Sequence, residues 1–143
     1  MRDTFNLAAM HDELVRDEGR RHLPYHDTAA RLSIGIGRNL TDKGITDAEI
    51  DFMFEHDLSD AADDLDRNIA WWRSLDAVRQ RVMLNMTYNM GWPSFSMFAR
   101  FFSAMRQSRW DDAAIEMISS RWATQVGDRA KRLEQMVRTG VAV

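Results

Sequence analysis

The chain has 143 residues and a mass of 16.6 kDa, a length suited to about one domain. It has no cysteine, which excludes disulfides, thiolate metal sites and thiol catalysis. Two prolines and seven glycines are too few for a many-stranded, turn-rich β protein, and abundant Leu, Met, Ala, Arg and Asp favour helix. The net charge of −3 hides an asymmetry. Residues 1–69 carry 8 Lys/Arg against 16 Asp/Glu, and residues 70–143 carry 11 against 6. A basic second half suits an anionic partner, although any helical surface needs charge.

In chain order, Asn6 to Glu18 has Leu7, Met10, Leu14 and Val15 at helical spacing. Its apolar run is too short for a secretory signal or a membrane span, so cytoplasmic synthesis is expected. Gly19 stands where a helix would stop. Pro24 bars a helix over the next stretch, and Leu32-Ser33-Ile34-Gly35-Ile36-Gly37 alternates with period two. The pattern predicts a small hairpin with Asp27-Thr28-Ala29-Ala30 as its turn. Thr46-Asp47-Ala48-Glu49 is a capping box that opens a long helix to about Asn68. Residues 74–90, with Ser74 as a possible cap, form the most apolar helix, which Gly91-Trp92-Pro93 ends. Three shorter helices are expected over Ser94–Arg106, Asp111–Ser120 and Asp128–Arg138. The ten methionines and five tryptophans read as core. The fold class is α+β, mostly α: a small β-containing lobe over about 12–45, a connecting helix over 46–68, and a helical lobe over about 69–143 plus the N-terminal helix.

Three residues of the first forty have chemistry to offer. Glu18 closes the first helix, where the partial negative charge of the helix end disfavours a carboxylate and suits a general acid. Asp27 lies on the turn, where a carboxylate stays ionised, and Ser33 places a hydroxyl on the next strand. A protonated carboxyl opposite an ionised one is the minimal equipment for glycosidic cleavage. His22 and His26 have a metal-like spacing, but Pro24 denies them a shared helix. No metal and no cofactor is expected, and the arginines of the second half do not interleave with aromatics as a nucleic-acid surface would.

The string Arg16-Asp17-Glu18-Gly19, then Tyr25-His26-Asp27-Thr28, then Ser33-Ile34-Gly35-Ile36-Gly37 resembles the phage-lysozyme family of glycoside hydrolases, the T-even type above all. That family spaces its catalytic glutamate, aspartate and threonine by nine and then six residues, as Glu18, Asp27 and Ser33 are spaced here. Asn85-Met86-Thr87-Tyr88-Asn89-Met90-Gly91, Ser120-Arg121-Trp122, Asp128-Arg129-Ala130-Lys131-Arg132 and Arg138-Thr139-Gly140 are similar to later family motifs, so the likeness covers about residues 8–140. It implies one lysozyme-like domain over 1–143, a monomer, and an endolysin-type muramidase acting on the β-1,4 bond of peptidoglycan. It further implies Glu18 as general acid and Asp27 and Ser33 as holders of the attacking water. Arg129 matches an arginine that pairs with the catalytic glutamate, which would oppose the helix-end effect. Tyr88 and Asn89 match glycan-binding positions, and Leu32 is a candidate for the opposite wall. Made in the host cytoplasm, such an enzyme would reach the wall with a holin-type release partner. The alternatives are a catalytically silent peptidoglycan-binding or virion structural protein, and a lytic transglycosylase.

Three departures bear on these expectations. Ser33 replaces a threonine, keeping the hydroxyl but losing the methyl that restricts χ1. Arg38 replaces a histidine, so that histidine's ion pair does not carry over. The segment from Arg38 to Thr46 is also shorter, which predicts a smaller first lobe.

Overall fold

The fold is that of a computed structural model, which describes residues 4–143. The chain divides into two compact units, one ending at Phe52 and the other spanning Met53–Val143. The fold is α+β and mostly helical, with one three-stranded antiparallel sheet.

In the first unit, helix α1 runs Leu7–Glu18. The Asn6 side chain caps it by accepting from the Ala9 N–H at 3.0 Å. Gly19, at φ +81°, ends it, with its N–H bonded to the Val15 carbonyl. Strand β1 (Arg21–His26) follows after two residues, and α1 lies with the sheet in the first compact unit. None of its residues is buried. Strands β2 (Leu32–Gly35) and β3 (Arg38–Asn39) complete the sheet in the order β1-β2-β3. Tyr25 and Asn39 lie opposite Ser33 on either side. The register of β1 shifts between Arg21 and Tyr25, the stretch that holds Pro24, which has no N–H for a ladder.

The capping box forms as the sequence predicts. The Glu49 N–H donates to Thr46 Oγ1 at 3.2 Å, and the Thr46 N–H to Glu49 Oε1 at 3.0 Å. It opens helix α2 (Asp47–Asn68). Glu49 also receives both ends of the Arg38 guanidinium, Nη1 to Oε1 at 2.9 Å and Nη2 to Oε2 at 2.8 Å. Arg38 Nη1 donates further to the Gly44 carbonyl. The arginine thus supplies an ion pair of its own, forked and planar, that ties β3 to the first turn of α2.

The core lies in the second unit. Of the stripe expected on α2, Ala61 and Leu65 are buried, whereas Phe54 is 47% exposed. A 3-10 turn (Ala70–Ser74) precedes helix α3 (Ala77–Met90). The cap of α3 is Asp76, which accepts from the Arg79 N–H at 3.1 Å. Ser74 instead donates its hydroxyl to the Trp71 carbonyl within the turn. The helix expected over 94–106 is two, α4 (Trp92–Phe95) and α5 (Ala99–Arg106). Pro93 is accepted in the first turn of α4, where its missing N–H has no partner to lose. Helices α6 (Trp110–Ile118), α7 (Arg121–Val126) and α8 (Asp128–Thr139) follow. The sequence reading passed over α7, whose cap is Ser120.

Val82, Met83, Met86, Met105 and Met117 are fully buried around a cluster of Phe95, Phe101 and Phe102. The Phe95 and Phe102 rings meet edge-on at 4.7 Å, and each such buried ring contributes about 1.5–3 kcal/mol by removal from water. Methionine is not uniformly core: Met97 is 80% exposed. Arg79 is a buried cation. Its Nε donates to the Val137 carbonyl at 2.7 Å, its Nη1 to Asp76 Oδ1 at 3.1 Å, and its guanidinium lies 3.8 Å from the Trp110 ring centroid.

Two ion pairs make stability pH-dependent. The Arg38 guanidinium lowers the Glu49 carboxyl from its ordinary 4.5 to about 2, helped by Thr46. Arg73, with Trp72, lowers Asp66 from 3.8 to about 2. A carboxyl whose folded pKa is depressed stabilises the fold fully above its ordinary value, and the contribution fades as pH falls towards the folded value. Thermal melts should therefore show Glu49→Gln less stable than wild type at pH 6, with the difference shrinking from pH 4.5 down to 2. A difference constant over that range would contradict the pairing.

Candidate active site

Glu18, Asp27 and Ser33 all fall in the first unit, on three consecutive pieces of structure. Glu18 is the last residue of α1 and is exposed. Its carboxylate lies over the turn between β2 and β3. A Cβ built on Gly37 would stand 2.8 Å from Glu18 Oε2 and 3.1 Å from Cδ. Gly37 also has φ +72°, so glycine is demanded twice there, by the backbone and by the space the carboxylate occupies.

Asp27 is the first residue after β1. Its Oδ1 accepts from the N–H groups of Ala29 and Arg31, both at 2.9 Å. Its own N–H donates to the Arg31 carbonyl. This is a side-chain-closed turn, and it holds the carboxylate in one place through one oxygen. Ala30 takes φ +60° to complete the loop. Ser33 is 3% exposed, in the centre of the middle strand. Leu32, which opens β2, is half-buried. Its N–H donates to Thr41 Oγ1 at 2.8 Å, and its carbonyl accepts from Leu40. His26 pairs with Leu32 in the hairpin, so Asp27, Leu32 and Ser33 gather at the closed end. Glu18 marks the other end, beside Gly37.

The remaining candidates belong to the second unit. Tyr88 of α3 is 43% exposed, its ring 6.1 Å from that of Phe54. Arg129 of α8 donates from Nε to Asn85 Oδ1 at 2.9 Å. Both line a groove of about 440 Å³ with Phe54, Leu58, Arg81, Leu84 and Asn85. Asn89 does not line it; its Oδ1 accepts from Trp122 Nε1 at 2.8 Å and so helps seat α7. Sequence reasoning singled out neither Phe54 nor Arg81 for this groove. The usable signal was the spacing of Arg81, Asn85 and Tyr88, four and then three residues apart on one face of a helix.

The chain matches the family described as Phage lysozyme over residues 15–139. The chain belongs to the phage lysozyme family. It is 27% identical to the probable T4-type lysozyme 2 of Dictyostelium discoideum and 26% identical to the probable T4-type lysozyme 1 of the same organism. Each of these alignments covers 94% of this chain and 96% of the relative. It is also 28% identical to the pre-baseplate central spike protein Gp5 of Enterobacteria phage T4, over 96% of this chain and 29% of that protein. The exposed Glu18 and the anchored Asp27 are the candidates for the two acidic groups used in glycoside hydrolysis.

The space above Gly37 can be tested with a matched pair of variants. Gly44, at φ +62°, has nothing within 4 Å of a built Cβ. Gly37→Ala and Gly44→Ala should both lose about 1–2 kcal/mol in denaturant unfolding, from the left-handed backbone alone. Only Gly37→Ala should also lose lytic activity on peptidoglycan, by about 10²-fold, because it displaces the Glu18 carboxylate. Equal activity in the two variants would show that the Glu18 position is not used.

Proposed function

We propose that this protein is an endolysin-type muramidase that hydrolyses the β-1,4 bond between N-acetylmuramic acid and N-acetylglucosamine. Family membership supports lysozyme-type glycosidase chemistry. The observation that carries the finer reading is the order of Glu18, Asp27 and Ser33 over the end of α1, the turn after β1 and strand β2, with Gly37 cleared for the Glu18 carboxylate. Glu18 donates its proton to the leaving glycosidic oxygen. Asp27, ionised and fixed by two backbone N–H groups, accepts a proton from a water that the Ser33 hydroxyl helps to orient. The water attacks the anomeric carbon from the face opposite the departing sugar. Leu32, Tyr88, Asn89 and Arg129 are assigned to glycan binding. No metal or cofactor takes part in these steps.

The roots of the two carboxyls support inversion. Asp27 flanks the Leu32 end of β2, and Glu18 lies past its Gly35 end. Three strand rises separate those ends, about 10 Å before either side chain reaches inward. That supports the gap of about 6.5–9.5 Å that admits a water, against the about 5–5.5 Å of a retaining pair. The protein is assigned as a monomer made in the host cytoplasm and released to the wall by a holin-type partner. Among the described residues no helix is long and apolar enough to cross a membrane.

A second reading is a virion component that binds peptidoglycan, supported by the likeness to a phage spike protein. The presence of Glu18, Asp27 and Ser33 at family spacing favours the enzyme. It also favours hydrolysis over the transglycosylase route, which needs no water-holding pair.

One experiment on purified sacculi separates these readings. Wild type should clear the suspension and release a first product in the α-anomeric form by NMR, without 1,6-anhydro ends by mass spectrometry. Glu18→Gln should lower the rate by about 10²–10⁴-fold while the circular dichroism melt stays close to wild type. A rate within about threefold of wild type would remove Glu18 from the acid role, since general acid catalysis is worth far more than that. A β-anomer appearing first would remove Asp27 and Ser33 from the water site.

Ser33 has its own test. Ser33→Ala should reduce turnover, and Ser33→Thr should match or exceed wild type, because the β-branched side chain has fewer rotamers to leave. Alanine as active as serine would exclude the hydroxyl from catalysis.

A further inference from the structure

The Glu18 carboxylate lies over the hairpin tip between β2 and β3, and that tip has little of its own to hold it. Strand β3 is two residues long and meets β2 at Ser33 opposite Asn39 and at Ile34 opposite Arg38. Ile36 and Gly37 form the turn, and Gly35 and Gly37 take φ +67° and +72°. Glycines on both sides of a tip widen the set of conformations open to it. The tip must nevertheless be placed closely, because a Cβ on Gly37 would stand 2.8 Å from Glu18 Oε2. The Gly37 backbone is therefore a wall against which the carboxyl rests. A wall that shifted by an ångström would free the carboxyl or push it aside.

The residue next to that wall is Arg38. Its Nη1 donates to Glu49 Oε1 at 2.9 Å and to the Gly44 carbonyl at 3.1 Å, and its Nη2 meets Glu49 Oε2 at 2.8 Å. Two parallel N–H donors on one carboxylate fix direction as well as distance. Glu49 is held in its turn by the Thr46 N–H in the first turn of α2. The first unit has a second pair across its loops, Arg31 Nε with Asp42 Oδ2 at 3.2 Å, but both side chains are more than half exposed and share one contact. Such a pair restrains little. The Arg38 side chain is 28% exposed, and its fork runs from the residue after the wall to a 22-residue helix.

We propose that Arg38 is a positioning residue for glycoside cleavage: through Glu49 it holds Gly37 beneath the Glu18 carboxyl and so keeps the proton-donating oxygen aligned. The proposal deepens the muramidase reading and rests on Glu18 as its general acid. Arg38 touches no substrate in this role. It acts on turnover by way of one backbone contact.

The two functions of Glu49, cap and anchor, can be separated. Glu49→Gln keeps a capping-box residue but loses the charged fork, and Thr46→Ala loses the box but keeps the fork. Steady-state kinetics of the full chain on soluble peptidoglycan fragments should show kcat about tenfold lower in Glu49→Gln and in Arg38→Gln, with KM within about twofold of wild type. Arg38→Lys, which keeps the charge without the parallel donors, should fall between them and wild type. Thr46→Ala should melt at a lower temperature with kcat unchanged, so that loss of stability alone is excluded as the cause. On a Glu18→Gln background, followed at high enzyme concentration, Arg38→Gln should cost no more than about twofold, because residues acting through one another are not additive. The same tenfold loss on that background would overturn the proposal, as would wild-type kcat in both Arg38→Gln and Glu49→Gln. A loss of kcat in Thr46→Ala equal to that in Glu49→Gln would also overturn it, by showing that the helix start and not the fork is what matters. Wild-type kcat in the fork variants beside an inactive Glu18→Gln sinks this inference and leaves the muramidase. An active Glu18→Gln sinks the general acid, and the positioning role with it.

Discussion

The helical unit depends on where one buried cation is satisfied. Arg79 sits in the first turn of α3, and its side chain reaches the last turn of α8, donating to the Val137 carbonyl and lying within 3.4 Å of that of Arg138. Helix ends leave such carbonyls unpaired, and they carry partial negative charge. One guanidinium therefore closes a helix end, pairs with the cap residue Asp76 and covers the Trp110 ring. Gly140 follows at φ +71°, where a Cβ would stand 2.8 Å from Arg79 Nη1, so the chain leaves α8 through a residue that keeps that space open. A buried charge without these partners would cost several kcal/mol.

That contact also sets how α3 and α8 lie. Residue 79 meets residues 137 and 138 at one end, and Asn85 meets Arg129 at the other. The two helices are thus antiparallel and in a single register. With Val82, Met83 and Met86 turned to the core, the neighbouring face of α3 carries Arg81, Asn85 and Tyr88 into the groove they share with Phe54 and Leu58. Core packing and the groove are two sides of one helix, fixed by the same cross-helix bonds.

The first unit is organised by backbone exceptions more than by burial. Gly19 stops α1 immediately after Glu18, the Asp27 side chain closes the hairpin turn, and Gly37 leaves room for the Glu18 carboxylate. Arg38 then fastens β3 to the start of α2 through Glu49. Glu18 and Asp27 stand at the end or turn of an element, where a side chain is presented without being buried by its own strand or helix. Ser33, in the centre of the middle strand, is the one that the sheet encloses.

Local chemistry was legible in the sequence. The stop at Gly19, the turn at Asp27, the capping box at Thr46 and the apolar stripe of α3 depend on residues a few positions apart, and all form as their pattern predicts. The order of Glu18, Asp27 and Ser33 is legible too, because spacing along a chain is itself sequence. What lay beyond it depends on partners distant in the chain. Asp76 displaces Ser74 as the cap of α3 because its carboxylate also meets Arg79, a residue with business at α8. Asn89 is drawn to Trp122, thirty-three residues on, and Arg38 finds Glu49 rather than standing as a bare departure from a family pattern. Arg81 shares a groove with Arg129 only because α8 packs beside α3. Short-range rules decide which element a residue joins; only the packing of helices decides which charges meet, because that choice belongs to contacts whose partners no local pattern names.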